Sequence, residues 1–313
     1  MMLSFICPCY NEEANVEPFL RSISDSFPVT EDYEVVFIND GSTDKTFEKL
    51  KELKKSSPMN IKIINFSRNF GKEAAMYAGM KNCRGEIITI IDTDLQQSPE
   101  TVKEMLEILK ANPDVDCVCA CQKDRNESAF SKLCKKSFYK IADKFTDAKF
   151  VDGASDFRAF RSTVKDAILS LGEYHRFSKG IFSWVGFNTV YIEYKANERN
   201  SGKSSFNFFK LLKYGVNGII SFTTAPLKFA SYTGGFAIFF SLIYMIVTVI
   251  RKLVSDINVD GFTQLVILIA FLGGIQLFSV GIIGEYLAKN YIETKKRPIY
   301  IAKEIIDYDN DTI

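Results

Sequence analysis

The chain has 313 residues, 47% of them hydrophobic, and its 39 basic and 38 acidic side chains leave a formal net charge of +1. That length supports one large domain plus an appendage, and so even a balance excludes the basic field of a nucleic-acid-binding protein. The seven cysteines form no C-x-x-C pair, and their odd number argues against a disulfide framework.

The opening stretch, MMLSFICPCYNEE, lacks the basic region and long apolar core of a signal peptide, so the N-terminal part is expected in the cytosol. Residues 3–9 read as a first strand followed by a polar loop, Tyr10 to Glu13. Residues 15–27 have helical spacing, with Val16, Phe19, Leu20 and Ile23 on one side. A second strand, 33–38, runs into Asn39-Asp40-Gly41-Ser42-Thr43-Asp44, and 43–56 is a helix with Phe47, Leu50 and Leu53 inward. Strand 61–65 leads to the polar loop Ser67-Arg68-Asn69-Phe70-Gly71-Lys72 and a helix over 73–82. Residues 87–91 are a β-branched run of the kind buried in parallel sheets. A helix over 99–110 follows, with Pro99 in its first turn, where a missing N–H costs nothing. Residues 115–121 give another strand, on which Cys117, Cys119 and Cys121 share a face as small buried apolar residues. Strands alternating with such helices predict an α/β, Rossmann-like, mostly parallel sheet.

The fourth strand ends in Asp92-Thr93-Asp94. Residues two apart on an extended chain point the same way, so both carboxylates are placed to face one ligand. Two hard oxygen donors at a strand's carboxyl end suit a Mg²⁺ or Mn²⁺ ion that also grips phosphates, at the edge where open α/β sheets bind ligands. The plain alternative is a strand followed by a polar turn.

Beyond residue 124 the alternation weakens. Residues 131–145 read as a basic helix, 152–160 as a polar loop running into a short segment, 185–194 as a late strand, and 197–205 as a polar loop. Residues 229–250 and 262–284 then carry no charged side chain over 22 and 23 positions, enough for two transmembrane helices. Lys203, Lys210, Lys213 and Lys228 precede this hairpin and Lys289, Lys295, Lys296 and Arg297 follow it, which places both termini in the cytoplasm. Upstream, 206–222 has apolar residues at Phe209, Leu212, Val216 and Ile219, the pattern of an interfacial amphipathic helix or of an ordinary core helix.

PCYNEE, NDGSTD and DTDLQQSPE, at these spacings, resemble the family 2 glycosyltransferases of GT-A fold. The 67–72 loop, Asp156-Phe157-Arg158 and Arg199-Asn200-Ser201-Gly202-Lys203-Ser204 are similar to its polyprenyl-phosphate branch, which includes dolichol-phosphate mannose synthase and the bacterial undecaprenyl-phosphate glucosyltransferases. The resemblance spans nearly the whole chain. It implies a cytosolic GT-A catalytic domain over 1–205, an interfacial segment over 206–228, a two-helix membrane hairpin over 229–284 and a cytosolic tail over 285–313. It implies inverting transfer of a hexose from a nucleotide sugar, UDP-glucose first among several donors, to undecaprenyl phosphate. A homotetramer, a downstream flippase and a further glycosyltransferase are implied as partners.

In that reading Pro8, Tyr10, Asn11, Glu12, Asp40, Gly41, Ser42, Lys72 and Asp92 bind the donor nucleotide. Asp94, with Asp92, holds Mg²⁺ or Mn²⁺, and Gln96, Arg158, Arg199, Lys203 and Arg68 meet the acceptor or its phosphate. Asp156 is a base, an acceptor-orienting carboxylate or a structural partner for Arg158. Asp40 reads alternatively as the cap of the helix predicted at Thr43, a place Ser42 also fits, and Glu12 as a solvated loop residue. His175, the only histidine, reads as an ordinary loop residue. Asn39 stands where many relatives carry a second Asp, QQSP departs from the usual acceptor-side motif, and no Q-x-x-R-W marks a processive synthase. Two rival readings are transfer directly to a protein or polysaccharide, and a nucleotide-sensing membrane scaffold without catalysis.

Overall fold

The computed structural model describes residues 2–28, 32–122, 153–197, 223–254 and 261–308. Eight strands form one sheet in the order β7-β5-β6-β4-β1-β2-β3-β8. Its centre is parallel: β4 (Ile87–Ile90), β1 (Leu3–Cys9), β2 (Tyr33–Asn39) and β3 (Asn60–Phe66). These strands are buried almost throughout because helices cover both faces, which is why their sequences read as continuous apolar runs rather than alternating ones.

The covering helices are α1 (Val16–Ser26), α2 (Thr46–Ser56), α3 (Lys72–Asn82) and α4 (Pro99–Ala111). α1 buries Val16, Phe19, Leu20 and Ile23, the stripe its spacing predicts. α3 buries Ala74, Ala75, Met76, Ala78, Gly79 and Met80, so small side chains let its backbone lie close to β1 and β2. At Gly79 the approach is closest, since a Cβ there would stand 2.3 Å from Cγ2 of Ile6. α4 opens as the sequence predicts, with Pro99 in its first turn and Ser98 accepting from the Glu100 N–H.

Two strands lie where the sequence reading places none. β6 (Ala154–Arg161) falls in the stretch read as a polar loop and inserts antiparallel between β4 and β5 (Cys117–Gln122). Phe157, Ala159 and Phe160 are fully buried on it. β8 (Ala302–Ile306) closes the other edge, antiparallel to β3. α5 (Ser162–Ser170), α6 (Ser178–Trp184) and β7 (Thr189–Tyr194), parallel to β5, complete this unit. α2 begins three residues later than expected and β7 four. The predicted helix over 131–145, the interfacial segment 206–222 and Cys134 lie outside the described residues.

A second compact unit contains α7 (Ala225–Val254) and α8 (Phe262–Thr294). Both run longer than the predicted spans, at 30 and 33 residues, and both are long and apolar enough to cross a membrane. Phe236, Phe239, Phe271, Leu277 and Phe278 are exposed on them, surface that water would penalise and lipid would not.

The core beneath the sheet includes an edge-to-face trio, Phe5 against Phe27 and Tyr33 at 5.2 and 5.9 Å between ring centroids. Phe5→Ala removes the shared ring and leaves a cavity under β1. It is expected to cost about 3–5 kcal/mol of stability, measured by urea unfolding of the detergent-solubilised chain.

Candidate active site

Four parallel strands bring four polar loops to one edge of the sheet, and side-chain-to-backbone bonds join those loops. Asn11, at a positive φ of 55°, donates its N–H to Oγ of Ser42 (2.9 Å), and its Oδ1 accepts from the Thr43 N–H (2.8 Å). The N–H of Glu12 donates to Oγ1 of Thr46, and Oε2 of Glu13 accepts from the Lys45 N–H. Asp44, rather than Asp40 or Ser42, serves the start of α2: its Oδ1 accepts from the Thr46 N–H at 3.0 Å. That corrects both capping alternatives read at Thr43.

Asp40 is buried at the end of β2 and carries the next loop. Its Oδ1 accepts from the Phe70 N–H (2.6 Å) and its Oδ2 from the Gly71 N–H (3.0 Å). Burial raises its pKa, while those two N–H groups and the Arg68 charge oppose the rise. Gly41 beside it has φ +63°, and a Cβ there would lie 2.3 Å from the carbonyl carbon of Arg68. Only glycine lets the β2–α2 and β3–α3 backbones meet this closely.

A cavity of about 320 Å³ opens among these loops, lined by residues that include Pro8, Tyr10, Glu12, Asp40, Lys72, Asp92 and Asp94. Asn69, Cys9 and Thr93 join them. Burial pushes the Cys9 thiol up, which removes it as a nucleophile or metal-binding thiolate. β4 stops at Ile90, so Asp92 and Asp94 stand on a turn, with Leu95 at φ +62°, rather than on a continued strand. The period-two argument for their pairing therefore does not describe the geometry; the turn does.

An ion cluster stands at the cavity wall. Nζ of Lys72, the first residue of α3, lies 2.7 Å from Oδ1 and 2.8 Å from Oδ2 of Asp92, and 3.6 Å from Oδ2 of Asp156 on β6. Burial works against the Lys72 charge, but Asp92 and Asp156 outweigh it and the ammonium is held protonated. Burial likewise opposes the charge on Asp156, but Lys72, Lys179 and Arg158 draw its pKa below the ordinary value, so it is a carboxylate rather than a proton reservoir. Asp156 makes its ion pair with Lys72, and the Arg158 charge of the structural alternative acts on it as well. Arg158 is itself buried, with its guanidinium 4.0 Å from the Phe182 ring centroid and Nη2 donating to the Ser155 carbonyl.

Gln97 is a residue the sequence reading passes over. It is buried, its Oε1 accepts from the Asp92 N–H (2.8 Å), and its Nε2 donates to Oδ2 of Asp92 (3.1 Å). Gln96, the amide singled out instead, donates its N–H to Oδ1 of Asp94 and accepts from the Asn197 N–H. Neighbouring amides in sequence give no sign of which one turns inward. Glu73 is the other omission. It accepts from the N–H and Oγ of Ser178, which fixes the start of α6 and brings Lys179 toward Asp156. Arg68 is exposed and lies over the Phe70 ring at 4.2 Å. His175 sits between α5 and α6. Arg199 and Lys203 lie outside the described residues.

No group of three or more His, Cys, Asp or Glu able to hold a metal occurs among the described residues. Glu12, Asp40, Asp92 and Asp94 are the carboxylates at the cavity, and the last two, on one turn, suit an ion such as Mg²⁺ that takes its other ligands from phosphates and water. The residues present fit a metal that arrives with a phosphorylated ligand.

Comparison with known proteins agrees with this architecture. Residues 4–169 match the family glycosyl transferase family 2, and residues 225–289 match the GtrB C-terminal hairpin. The chain belongs to glycosyl transferase family 2. CsbB of Bacillus subtilis (strain 168), assigned as a glycosyltransferase, is 40% identical over 304 residues, 97% of this chain and 92% of that one. The SfII prophage-derived bactoprenol glucosyl transferase of Shigella flexneri is 38% identical over 307 residues, 97% and 98% of the two chains. The prophage bactoprenol glucosyl transferase homolog of Escherichia coli (strain K12) is 37% identical over 308 residues, 97% and 99%. The matched hairpin covers most of α7 and α8, in keeping with a membrane-associated glycosyltransferase.

Gly41→Ala is expected to force apart the β2–α2 and β3–α3 loops and cost about 1–3 kcal/mol. Ser42→Ala, which removes one hydrogen bond between loops, is expected to cost about 1 kcal/mol. Thermal unfolding of both variants checks the order; equal losses would show that the Arg68–Asn69 backbone gives way without strain.

Proposed function

We propose that the chain transfers glucose from UDP-glucose to undecaprenyl phosphate at the cytoplasmic face of the plasma membrane, with inversion at the anomeric carbon. The observation that carries this reading is the cavity at the carboxyl ends of β1, β2 and β4, where Asp40, Asp92 and Asp94 stand together in a chain that also bears an apolar hairpin. The bactoprenol glucosyl transferases it resembles over nearly their full length supply the acceptor and the sugar. The hairpin enters and leaves the membrane from the cytoplasmic side, which keeps the site beside an acceptor that cannot leave the bilayer.

The chemistry is one displacement. An anionic oxygen of the lipid phosphate attacks the anomeric carbon, the bond to the β-phosphate oxygen of UDP breaks, and the electron pair leaves with UDP. The attacking oxygen carries no proton at neutral pH, so no general base is required and positioning dominates. Asp156, held ionised by its cations, orients the acceptor side through Lys72 instead of removing a proton. Tyr10, Asn11, Glu12 and Asp40 frame the base and ribose, and Asp92 faces the sugar diphosphate. Gln96, Arg68, Arg199 and Lys203 meet the acceptor phosphate, while Arg158, buried against Phe182 and the Ser155 carbonyl, backs Asp156 instead of reaching the acceptor as the sequence reading has it. Asp94, with Asp92, would hold Mg²⁺ or Mn²⁺, whose contribution is to neutralise charge developing on the departing diphosphate. The lipid-linked sugar then passes to a flippase and a second transferase.

The test uses purified full-length protein in detergent with undecaprenyl phosphate and Mg²⁺ or Mn²⁺. UDP-glucose, UDP-N-acetylglucosamine, UDP-galactose and GDP-mannose are offered separately, with nucleotide release and glycolipid formation as readouts. Turnover with UDP-glucose, lost on chelation and on omitting the lipid, is the expected result. Turnover that persists without the lipid would move the acceptor to water, protein or polysaccharide. Asp94→Asn is expected to lower kcat on the order of 100-fold, and full activity in that variant with metal present would overturn the metal assignment. Lys72→Gln removes the cation from Asp92, whose Oδ2 keeps its bond from Gln97, and breaks the tie to Asp156; it is expected to lower kcat/KM on the order of 10- to 100-fold.

A further inference from the structure

Ser67–Lys72 contributes Asn69, Gly71 and Lys72 to the cavity and receives the Asp40 carboxylate, yet four of its residues, Ser67 to Asn69 and Lys72, are exposed. Its support comes from the far end of the chain. The Ser67 N–H donates to the Ile301 carbonyl at 3.0 Å, one residue before β8 begins. Tyr300 stacks on Phe66, with centroids 5.0 Å apart and planes 20° from parallel. Phe66 in turn meets Phe70 edge-on at 5.7 Å, and Phe70 is the residue whose N–H holds Asp40. The other side of Tyr300 is fixed as well: its hydroxyl accepts from Nδ2 of Asn82 (3.1 Å), and its ring meets Tyr77 at 6.4 Å. Both belong to α3, the helix whose first residue is Lys72.

We propose that Tyr300 is a positioning residue for the nucleotide-donor site. It clamps the β3–α3 loop and α3 together from outside the cavity and so sets where the N–H groups of Phe70 and Gly71 and the ammonium of Lys72 stand. The segment after the membrane hairpin is therefore a working part of the donor site. Tyr300 lies six residues beyond the end of α8, so the same short linker that leaves the hairpin ends in the clamp. This proposal rests on the reading of the cavity as a donor site.

The physical basis is the difference between a loop and a stack. An exposed loop orders only at an entropic cost. An aromatic pair that is already packed has met that cost before the nucleotide binds. Loss of the ring leaves the Asp40 bonds possible but intermittent. Loss of the hydroxyl alone leaves the ring contacts intact.

The experiment compares wild type, Tyr300→Ala, Tyr300→Phe and Glu304→Gln, all as full-length protein in detergent. Glu304→Gln is the control, because it breaks a half-buried ion pair to Lys51 at 3.3 Å elsewhere on β8. Amide hydrogen exchange is followed in residues 67–72 and in β1, and UDP affinity is measured well below the unfolding temperature. Tyr300→Ala is expected to speed exchange at Phe70 and Gly71 while β1 stays protected, and to weaken UDP binding by roughly tenfold, within reach of one aromatic stack. Tyr300→Phe and Glu304→Gln track wild type. Unchanged exchange at 67–72, or a rise in proportion across the whole sheet, would overturn the proposal. Wild type that fails to bind UDP would overturn the donor reading, and the exchange result would still decide whether Tyr300 holds the loop.

Discussion

A single buried carboxylate governs the upper edge of the sheet. Asp40 leaves β2 fixed by that strand and accepts from the backbone of Phe70 and Gly71, so its direction sets the β3–α3 loop. Gly71 is followed at once by Lys72, the first residue of α3, and Lys72 reaches Asp92 and Asp156. One chain of contacts thus runs from β2 through β3 to β4 and β6. Charge carried on Asp40 in a buried setting is costly unless hydrogen-bonded, and the two N–H groups offset that cost while fixing geometry. The result is a site whose charged groups are aligned before any ligand arrives, which is where electrostatic effects are strongest.

Much of this was legible in the sequence because a parallel sheet leaves so few choices. Four largely apolar runs, each ending in a polar cluster, must deliver those clusters to the same edge. That is how Pro8 to Glu12, Asp40, Lys72 and Asp92 to Asp94 came to be expected together before their distances were known. β6 was hidden because Asp156 and Arg158 occupy alternate positions on a central strand, and two charges in five residues read as loop. Phe157, Ala159 and Phe160 carry the burial that the charges disguise. β8 was hidden for a different reason, since five residues after a membrane hairpin carry too little pattern to betray a strand pairing with β3, some 240 positions earlier in the chain.

Gln97 and Glu73 show where sequence patterns stop. Neither belongs to a periodic stripe, and the place of Glu73 beside Lys72 in sequence says nothing of Ser178. Their roles come from where a turn and a helix end place them: Gln97 returns two hydrogen bonds to Asp92, and Glu73 holds α6 by Ser178. Gln97 supports a residue of the cavity wall and Glu73 the start of a neighbouring helix, and neither lines the cavity itself. Such residues are visible only once the backbone is known, because their partners are chosen by three-dimensional distance.

The position of β8 has a further consequence, in the order of synthesis. A ribosome releases β1 through β7 first, then α7 and α8, and only then the five residues that cover the exposed edge of β3. Domains fold as they emerge, N-terminal parts first. The sheet therefore waits with an open β3 edge, which is itself a sticky surface, until the apolar hairpin has been made. A chain halted within the hairpin lacks that strand, so the sheet is completed only after the hairpin has been made.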